Sequence, residues 1–256
     1  VRGRLTRDEA LSRLLSGTNL RGEITPANTL ALEQDQSPQL GRANAETRVR
    51  AEPTTGADLD LIRSSTATPQ GRNRMVAVVL DMQRVFARLE NAPCVTIAEL
   101  GGAAVGGGFE LALACDWRIA AHEARIGLPE AALGLLAAGG GTQRLTHLVG
   151  AGTARRLILG AETPTGEEAQ RLGLVQWSVP RAGLPAAAQA LAERCAAIPR
   201  TTLAENKRCI ALASAPHGDG YAAEIAATRR LYENPETRRR VSAFLDKRAA
   251  PHKEQA

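Results

Sequence analysis

The sequence predicts an α/β fold, because a buried strand, a tight glycine loop and a buried helix follow one another directly. The segment CVTIAEL at 94–100 is apolar and rich in β-branched residues, and proline and glycine bound it, as is usual for short buried strands. It leads into GGAAVGGG, after which FELALACDWRIA begins as an apolar helix and ends in the strand-like WRIAA. Strands and helices that alternate in this way are typical of layered α/β domains.

The element before this strand is predicted to be an amphipathic helix. Met75, Val79, Met82, Phe86 and Leu89 recur at spacings of four, three, four and three residues, so they share one helical face. A proline soon after the last of them ends the pattern. The second half of the chain is mainly helical in character, with helices predicted over 151–160, 165–172, 185–197, 201–214, 219–232 and 235–247.

Residues 1–54 differ from the rest of the chain. They contain no aromatic residue and are rich in Arg, Thr, Gln, Asn and Pro. A short helix is predicted from Thr6 to Leu15, with Thr6 as its N-cap. The residues that follow show no sustained period of 2 or 3.6, so we expect them to be irregular and partly disordered.

Composition narrows the classes of function. The chain has 256 residues, 44% of them hydrophobic, which is enough for one or two domains with a sizeable core. No run of eighteen apolar residues exists, so no membrane span is expected. The net charge of +5 suits a ligand that carries phosphates, but no aromatic-plus-basic run indicates nucleic acid. The four cysteines lack CxxC spacing, which favours reduced thiols in a cytoplasmic protein over a disulfide framework or a metal site.

Two glutamates lie within apolar segments. Glu110 belongs to GGGFELALAC and Glu130 to RIGLPEAALGLL. Burial of a carboxylate is costly unless the group is paired or has a chemical task, so the two are candidates for a general acid/base pair. The alternatives are that Glu110 lies on the outer face of a helix and that Glu130 favourably occupies a helix N-terminus. Their spacing of twenty residues does not by itself show that they meet.

A glycine triplet, Gly106, Gly107 and Gly108, precedes the helix that carries Glu110. Glycine lets the backbone approach a ligand closely, and the N–H groups at a helix N-terminus can bind an anion or a developing oxyanion. The alternative is a tight turn between strand and helix. The triplet matches neither the phosphate P-loop, since no Gly-Lys-Ser/Thr follows, nor the G-x-G-x-x-G fingerprint.

The segment VTIAELGGAAVGGGFELALACDWRIAAHEARIGLPEAALGLLAAGGGTQRLTHLVG strongly resembles the crotonase (enoyl-CoA hydratase/isomerase) superfamily. TTGADLDLI resembles the family's G-A-D-L segment, and the match continues through GAETPTGEEAQRLGLVQWSVP into VSAFLDKR, covering about residues 55–250. The resemblance implies a ββα spiral core at 55–195 and a C-terminal helical trimerisation region at 196–256. Residues 1–54 would then be an atypical N-terminal segment whose strands are atypical or missing.

The resemblance also implies roles for individual residues. The backbone N–H groups of Ala57 and Gly107 would form an oxyanion hole for the thioester carbonyl of an acyl-CoA. Glu110 and Glu130 match the two glutamates that hold a water in the hydratases of the family. The matched spacing from the glycine triplet to both glutamates contains no insertion.

Further residues are implied in binding the CoA thioester, namely Asp58, Leu59, Gly106, Phe244 and Lys247. Asp58 could equally be a helix N-cap, and Phe244 and Lys247 could be one buried aromatic and one solvated lysine. The family also implies a homotrimer or a dimer of trimers that assembles through the C-terminal helices. No separate cofactor is expected, because coenzyme A is part of the substrate.

The sequence therefore predicts an enoyl-CoA hydratase-type lyase of fatty acid β-oxidation, which adds water across the C=C bond of a 2-enoyl-CoA thioester. One alternative is an acyl-CoA double-bond isomerase, for which the family typically needs the second glutamate alone. The other is a non-catalytic or poorly folded crotonase-like subunit. This second alternative is suggested by AETRVRAEPTT at 45–55. The segment is too polar for the buried strand that the family has before the Gly-Ala-Asp segment.

Overall fold

The computed structural model describes most of the chain from residue 67 onward and several short strands before it. The described residues are 20–24, 30–34, 49–51, 54–55, 62, 67–213 and 218–249; before residue 56 and at 244–249 the description covers the backbone alone. The chain divides into two compact units, Val1–Ala196 and Ala197–Ala256. The three segments predicted from the sequence, with boundaries after residues 54 and 195, stay a prediction. Among helices of the described residues, none combines the length and apolarity that crossing a membrane requires.

The strands of the described residues form two sheets. In chain order they are β1 (Leu20–Ile24), β2 (Leu30–Gln34), β3 (Val49–Ala51), β4 (Thr54–Thr55), β5 (Ile97–Leu100), β6 (Ala104–Val105), β7 (Trp117–Ala121), β8 (Ile126–Gly127) and β9 (Trp177–Val179). The larger sheet has the order β1-β2-β3-β5-β7-β9, in which β1 and β2 are antiparallel and the other pairs parallel. The predicted strands at 94–100 and 117–121 are confirmed as β5 and β7.

The segment predicted to be irregular contributes three strands to the larger sheet. β3 pairs with β5 in the register Val49 to Ala98, Arg50 to Glu99 and Ala51 to Leu100, and β1 and β2 extend the sheet beyond it. The prediction of irregular structure is therefore wrong for these residues. Strand pairing uses backbone N–H and C=O groups, so an existing edge can accept a strand whose side-chain pattern is weak. The predicted helix Thr6–Leu15 lies outside the described residues.

The smaller sheet has the order β4-β6-β8, with all strands parallel. Thr54 pairs with Ala104 and Thr55 with Val105. β4 directly precedes the Gly-Ala-Asp segment in the sequence, and β6 directly precedes the glycine triplet. The two chain segments that the resemblance assigns to one oxyanion hole therefore start from neighbouring strands.

The helices are α1 (Pro69–Glu90), α2 (Gly107–Leu113), α3 (Gly141–Leu159), α4 (Gly166–Arg171), α5 (Leu184–Ala196), α6 (Arg200–Leu212), α7 (Gly220–Glu233) and α8 (Pro235–Ala249). The amphipathic pattern of α1 is confirmed at its C-terminal end, where Phe86 and Leu89 are buried. α3 begins ten residues before the prediction and includes a break at Gly150, where φ is +76°. The break separates the unpredicted part of the helix from the part predicted over 151–160.

The core of the first unit lies around α2, β5 and β7. Its largest fully buried side chains include Phe109, Leu100, Ile119, Leu128 and Leu145. Complete burial of each such aliphatic or aromatic side chain contributes about 1.5–3 kcal/mol, so the helix that carries Glu110 is set in a well-packed region.

A buried arginine fixes the C-terminal end of α2. Arg118, on β7, is 3% exposed, and its guanidinium donates to the carbonyl oxygens of Ala112 (3.2 Å), Cys115 (2.8 Å) and Leu174 (2.8 Å). The guanidinium thereby joins the end of α2 to the segment after α4, and it adds a second donor to the Ala112 carbonyl, which also accepts from the N–H of Cys115 at 3.1 Å. No pattern in the sequence indicated this role of Arg118.

The second unit contains α6, α7 and α8. Glu205 on α6 joins it to α7 by accepting hydrogen bonds from Arg230 at 2.6 and 2.8 Å, and it also accepts from Arg208 at 2.9 Å. These two cations lower the pKa of Glu205 to about 2. The predicted helices over 201–214, 219–232 and 235–247 are confirmed to within a few residues.

Candidate active site

Glu110 lies in the middle of α2 and is 3% exposed. The alternative of an outer-face glutamate is therefore wrong, because the neighbouring apolar residues of the helix are buried around it. Its carboxylate is nevertheless hydrogen-bonded, since Oε1 accepts from the backbone N–H of Gly141 at 2.8 Å. Gly141 is the first residue of α3, where the N–H has no intrahelical acceptor.

Two residues of a second glycine triplet, Gly139, Gly140 and Gly141, lie against this carboxylate, namely Gly139 and Gly141. A Cβ atom at Gly139 would lie 2.7 Å from Oε2 of Glu110, and one at Gly141 would lie 2.8 Å from Oε1. Both distances are too short for a side chain, so only glycine lets this loop approach the carboxylate so closely. Sequence reasoning missed the triplet, although a run of three glycines just before a helix was the available signal.

Glu130 is the second residue of a 3-10 turn, Pro129–Leu133, and is partly buried. Among the described residues, Oε2 of Glu130 is buried and has no hydrogen-bond partner. A buried carboxyl oxygen without a partner is costly in a purely structural role. The alternative expected from the sequence also fits, because Glu130 lies in the first turn of this 3-10 helix, where a negative charge is favourable. A catalytic role of Glu130 stays a prediction.

The charge of Glu130 acts on the buried carboxyl of Glu110. Burial raises the pKa of Glu110, and the negative charge of Glu130 raises it further. Backbone hydrogen bonds from Gly141 and Gly139 and the positive charge of Arg144 oppose that shift in the Glu110 pKa. Burial also raises the pKa of Glu130. Two carboxyls with raised pKa values at one place are suited to transferring protons nearer neutral pH.

The first glycine triplet lies at the start of the same helix. Gly106 is the N-cap of α2, and its N–H donates to the carbonyl of Gly127 at 3.0 Å. Gly107 is the first helical residue, and the methyl group of Met82 lies 3.5 Å from where its Cβ would be. A backbone N–H at this position has no acceptor within the helix and is available to an oxygen of a ligand.

The remaining predicted site residues cannot be placed. Ala57, Asp58 and Leu59 lie outside the described residues. Phe244 and Lys247 belong to α8, but their side chains lie outside the description. Their roles stay predictions. Within the described ranges, no group of three or more His, Cys, Asp and Glu could hold a metal ion.

Side chains of α1 and α3 hydrogen-bond the carbonyls at the start of the second glycine triplet. Gln83 donates to the carbonyl of Ala138 at 2.6 Å. Arg144 donates to the carbonyl of Gly139 at 3.1 Å and also to Glu90. Sequence reasoning missed these residues, because the contact between Arg144 and Glu90 joins positions 54 residues apart.

Comparison with known proteins identifies the family. The family model described as enoyl-CoA hydratase/isomerase matches residues 55–255. The chain is 36% identical over 166 residues to the short-chain-enoyl-CoA hydratase of Clostridium acetobutylicum, covering 64% of this chain and 64% of that one. It is 34% identical over 176 residues to the crotonyl-CoA hydratase of Syntrophomonas wolfei, covering 66% of this chain and 65% of that one. The matched region thus spans just under two thirds of these curated relatives.

The fold agrees with solved structures. The crystal structure of an enoyl-CoA hydratase from Bacillus anthracis is similar with a TM-score of 0.75 and 28% sequence identity, over 93% of this chain and 100% of that one. This likeness supports the α/β crotonase-like fold. Because the family model also covers residues 55–255, which include both glutamates and both glycine triplets, the chain belongs to the enoyl-CoA hydratase/isomerase family.

Proposed function

We propose that this protein hydrates the C=C bond of a 2-enoyl-CoA thioester, as an enoyl-CoA hydratase-type lyase of fatty acid β-oxidation. The observation that carries the proposal is the buried carboxylate of Glu110, which accepts a hydrogen bond of 2.8 Å from Gly141 and lies on the helix that begins at Gly107. Burial raises the pKa of Glu110 and of Glu130, and the charge of Glu130 adds to the shift in the Glu110 pKa. The names of two relatives, a short-chain-enoyl-CoA hydratase and a crotonyl-CoA hydratase, support a short 2-enoyl chain.

Glu110 acts as the general base in the proposed reaction. Its ionised form accepts a proton from water as the water oxygen bonds to Cβ of the enoyl group. The Gly141 N–H and the positive charge of Arg144 favour this ionised form. Burial in an apolar helix excludes bulk water, which makes the carboxylate a stronger base than an exposed glutamate.

Glu130 acts as the general acid and delivers a proton to Cα. Its raised pKa favours the protonated form that this step requires. Glu110 takes one proton from water and Glu130 gives one proton to Cα, so the protons balance. The pair returns to its starting state when one proton moves from Glu110 to Glu130. The net change is addition of H and OH across the double bond.

The thioester oxygen carries the negative charge that develops when water attacks Cβ. We propose that the backbone N–H groups of Gly107 and Ala57 bind this oxygen and stabilise the enolate-like transition state. The pairing of β4 with β6 supports this assignment, since these strands directly precede the two donors in the sequence. One such donor contributes about 3–4 kcal/mol to transition-state stabilisation in comparable sites.

Hydration of crotonyl-CoA by the purified protein tests the proposal. The wild type is expected to remove the absorbance of the conjugated enoyl-thioester. Glu110→Gln and Glu130→Gln are each expected to lower kcat by about 100-fold or more, since each removes a proton-transfer group, while binding of the CoA ester is retained. Glu162→Gln changes an exposed glutamate paired with Arg156 and serves as the matched control. Turnover near the wild-type rate in either active-site variant would contradict the assignment.

A 3-enoyl-CoA substrate distinguishes hydration from double-bond isomerisation. An isomerase would move a proton with Glu130 alone, and the unpartnered Oε2 of this residue favours that as the second candidate function. If Glu110→Gln lost hydration but still converted 3-enoyl-CoA to the conjugated isomer, isomerisation would be assigned to the wild type. Loss of both reactions in Glu110→Gln would support hydration through the pair.

We also propose that the protein is a homotrimer or a dimer of trimers. Large apolar side chains of the second unit, Ile210, Tyr221, Ile225 and Tyr232, are exposed in the single chain, and Tyr221 is 85% exposed. Exposed apolar surface of this kind is typical of subunit interfaces. Light scattering of the purified protein is expected to give three or six times the chain mass of 27.1 kDa. A mass equal to that of one chain would contradict the proposed assembly. The location in the cytoplasm stays a prediction.

A further inference from the structure

Arg144 connects the second glycine triplet to α1. The residue lies on the first turn of α3, and its side chain is 15% exposed. Nη1 donates to the carbonyl of Gly139 at 3.1 Å, and Nε and Nη2 donate to Oε2 of Glu90 at 3.2 and 3.1 Å. One guanidinium therefore uses three donors to join the loop and the end of α1.

The loop that Arg144 holds is in direct contact with the candidate base. Gly139 approaches Oε2 of Glu110, and Gly141 donates its N–H to Oε1. The ring of Phe86, also on α1, closes the other side of Gly139, since a Cβ there would lie 3.1 Å from it. The position of the Glu110 carboxylate thus depends on a short loop whose own carbonyls are anchored to α1.

We propose that Arg144 is a positioning residue for Glu110, and that Glu90 orients Arg144 for this task. The inference rests on the proposed function, because it assigns the ion pair a purpose in the proton transfer by Glu110. Arg144 does not touch the carboxylate in this arrangement. It acts through the Gly139 carbonyl, and so sets where Gly141 presents its N–H.

The chemistry of arginine suits this role. The guanidinium is planar and presents its donors in a fixed fork, so it can hold a carbonyl and a carboxylate in a defined relative position. A lysine at this site would keep the positive charge but could not reproduce the three donors on one rigid plane. Displacement of a reacting group by about 1 Å costs about 100-fold in rate, so a small shift of the loop is enough to be measured.

The test compares variants of two arginines on the same helix. Arg144→Met is expected to lower kcat for crotonyl-CoA hydration by about 10- to 100-fold, with KM changed by less than about threefold. Arg156→Met, which removes an exposed bidentate pair with Glu162 near the other end of α3, is the control and is expected to keep wild-type kinetics. Arg144→Lys is expected to stay impaired, since charge without the fork does not hold the loop.

A carboxyl titration by NMR, with glutamate side chains labelled with carbon-13, provides a readout that does not depend on turnover. The charged groups that act on Glu110 include Glu130, which raises its pKa, and Arg144, which lowers it. In Arg144→Met the Glu110 signal, assigned by its loss in Glu110→Gln, is expected to titrate at higher pH than in the wild type. The control Arg156→Met is expected to leave it unchanged.

Glu90→Ala tests the same role in a variant that is expected to fold even if Arg144→Met does not. The Glu90 side chain is 48% exposed, so its truncation leaves the core intact. It is expected to lower kcat by about tenfold with little change in KM, because it frees Arg144 from its anchor.

The outcomes separate this inference from the proposed function. An inactive wild type whose Glu110 signal still depends on Arg144 would contradict hydration and support positioning. If the wild type is active, either of two results would overturn the positioning role. The first is that Arg144→Met and Glu90→Ala have the same kcat and the same Glu110 titration as the wild type. The second is that Arg144→Lys has full activity.

Discussion

Oε1 of Glu110 accepts a hydrogen bond of 2.8 Å from the backbone N–H of Gly141, a residue 31 positions later in the chain. The bond joins the middle of one helix to the first residue of another. It gives a buried carboxylate a fixed orientation and a donor that favours its ionised form.

Substitution of Gly139 by alanine is expected to displace the Glu110 carboxylate. The added Cβ would lie 2.7 Å from Oε2 and 3.1 Å from the Phe86 ring, so the loop or the carboxylate must shift. Hydration of crotonyl-CoA is expected to fall by about 100-fold. Gly152→Ala is the matched control, because nothing lies within 4 Å of its added Cβ. Equal activity of Gly139→Ala and Gly152→Ala would show that the close approach has no consequence for catalysis.

The pH dependence of stability should reveal the buried state of Glu110. Its pKa is raised above the ordinary value of 4.5, so the folded protein binds this proton more tightly than the unfolded chain. The stabilisation is complete below pH 4.5 and is lost as the pH rises through the raised pKa. Glu110→Gln cannot ionise, so its free energy of unfolding should increase relative to wild type between pH 4 and pH 8.

Urea unfolding at several pH values measures this difference. Glu162→Gln gives the opposite sign, because Arg156 lowers the pKa of Glu162 and its stabilisation is lost as the pH falls. A difference between Glu110→Gln and wild type that stays constant with pH would mean that Glu110 titrates as an ordinary exposed carboxyl.

Replacement of Arg118 by methionine is expected to destabilise the first unit by about 3 kcal/mol. Methionine fills much of the same volume but removes the guanidinium that donates to the buried carbonyls of Ala112, Cys115 and Leu174, of which Ala112 keeps the N–H of Cys115. Arg155→Met, at an exposed position of α3, should change the free energy of unfolding by less than about 0.5 kcal/mol. Urea unfolding at pH 7 compares the two, and equal values would show that the guanidinium contributes no net stability.

Glu205 should stabilise the second unit in a pH-dependent way. Arg230 and Arg208 lower its pKa to about 2, so its contribution is present above pH 4.5 and is lost as the pH falls toward 2. Glu205→Gln is expected to lose about 1 kcal/mol at pH 7 in low salt and to match the wild type near pH 2. Thermal unfolding followed by circular dichroism measures this, with exposed Glu224→Gln as control. A loss that persists unchanged near pH 2 would point to packing rather than charge.

Local patterns in the sequence predicted much of the scaffold. The 3.6-residue period of α1 and the β-branched run of β5 were sufficient, because such patterns report which residues face the core. The unusual position of Glu110 among apolar residues also marked it as a candidate without any structure. Glu130 and the glycine triplet at 106–108 were candidates for the same kind of reason, and the family resemblance then placed all of them in one site.

Three features became visible only in the tertiary structure. β1, β2 and β3 form despite a weak local pattern, because β3 pairs with an edge that β5 supplies. Glu110 meets Gly141, and Arg144 meets Glu90, because the chain between them folds back. Periodicity reports what one segment prefers, whereas a hydrogen bond or a pKa shift depends on groups that distant segments bring together. The sequence by itself therefore determined most helices, the central strands and the candidate carboxylates. The tertiary structure decided which N-terminal segments form strands, which groups hydrogen-bond the Glu110 carboxylate and what shifts its pKa.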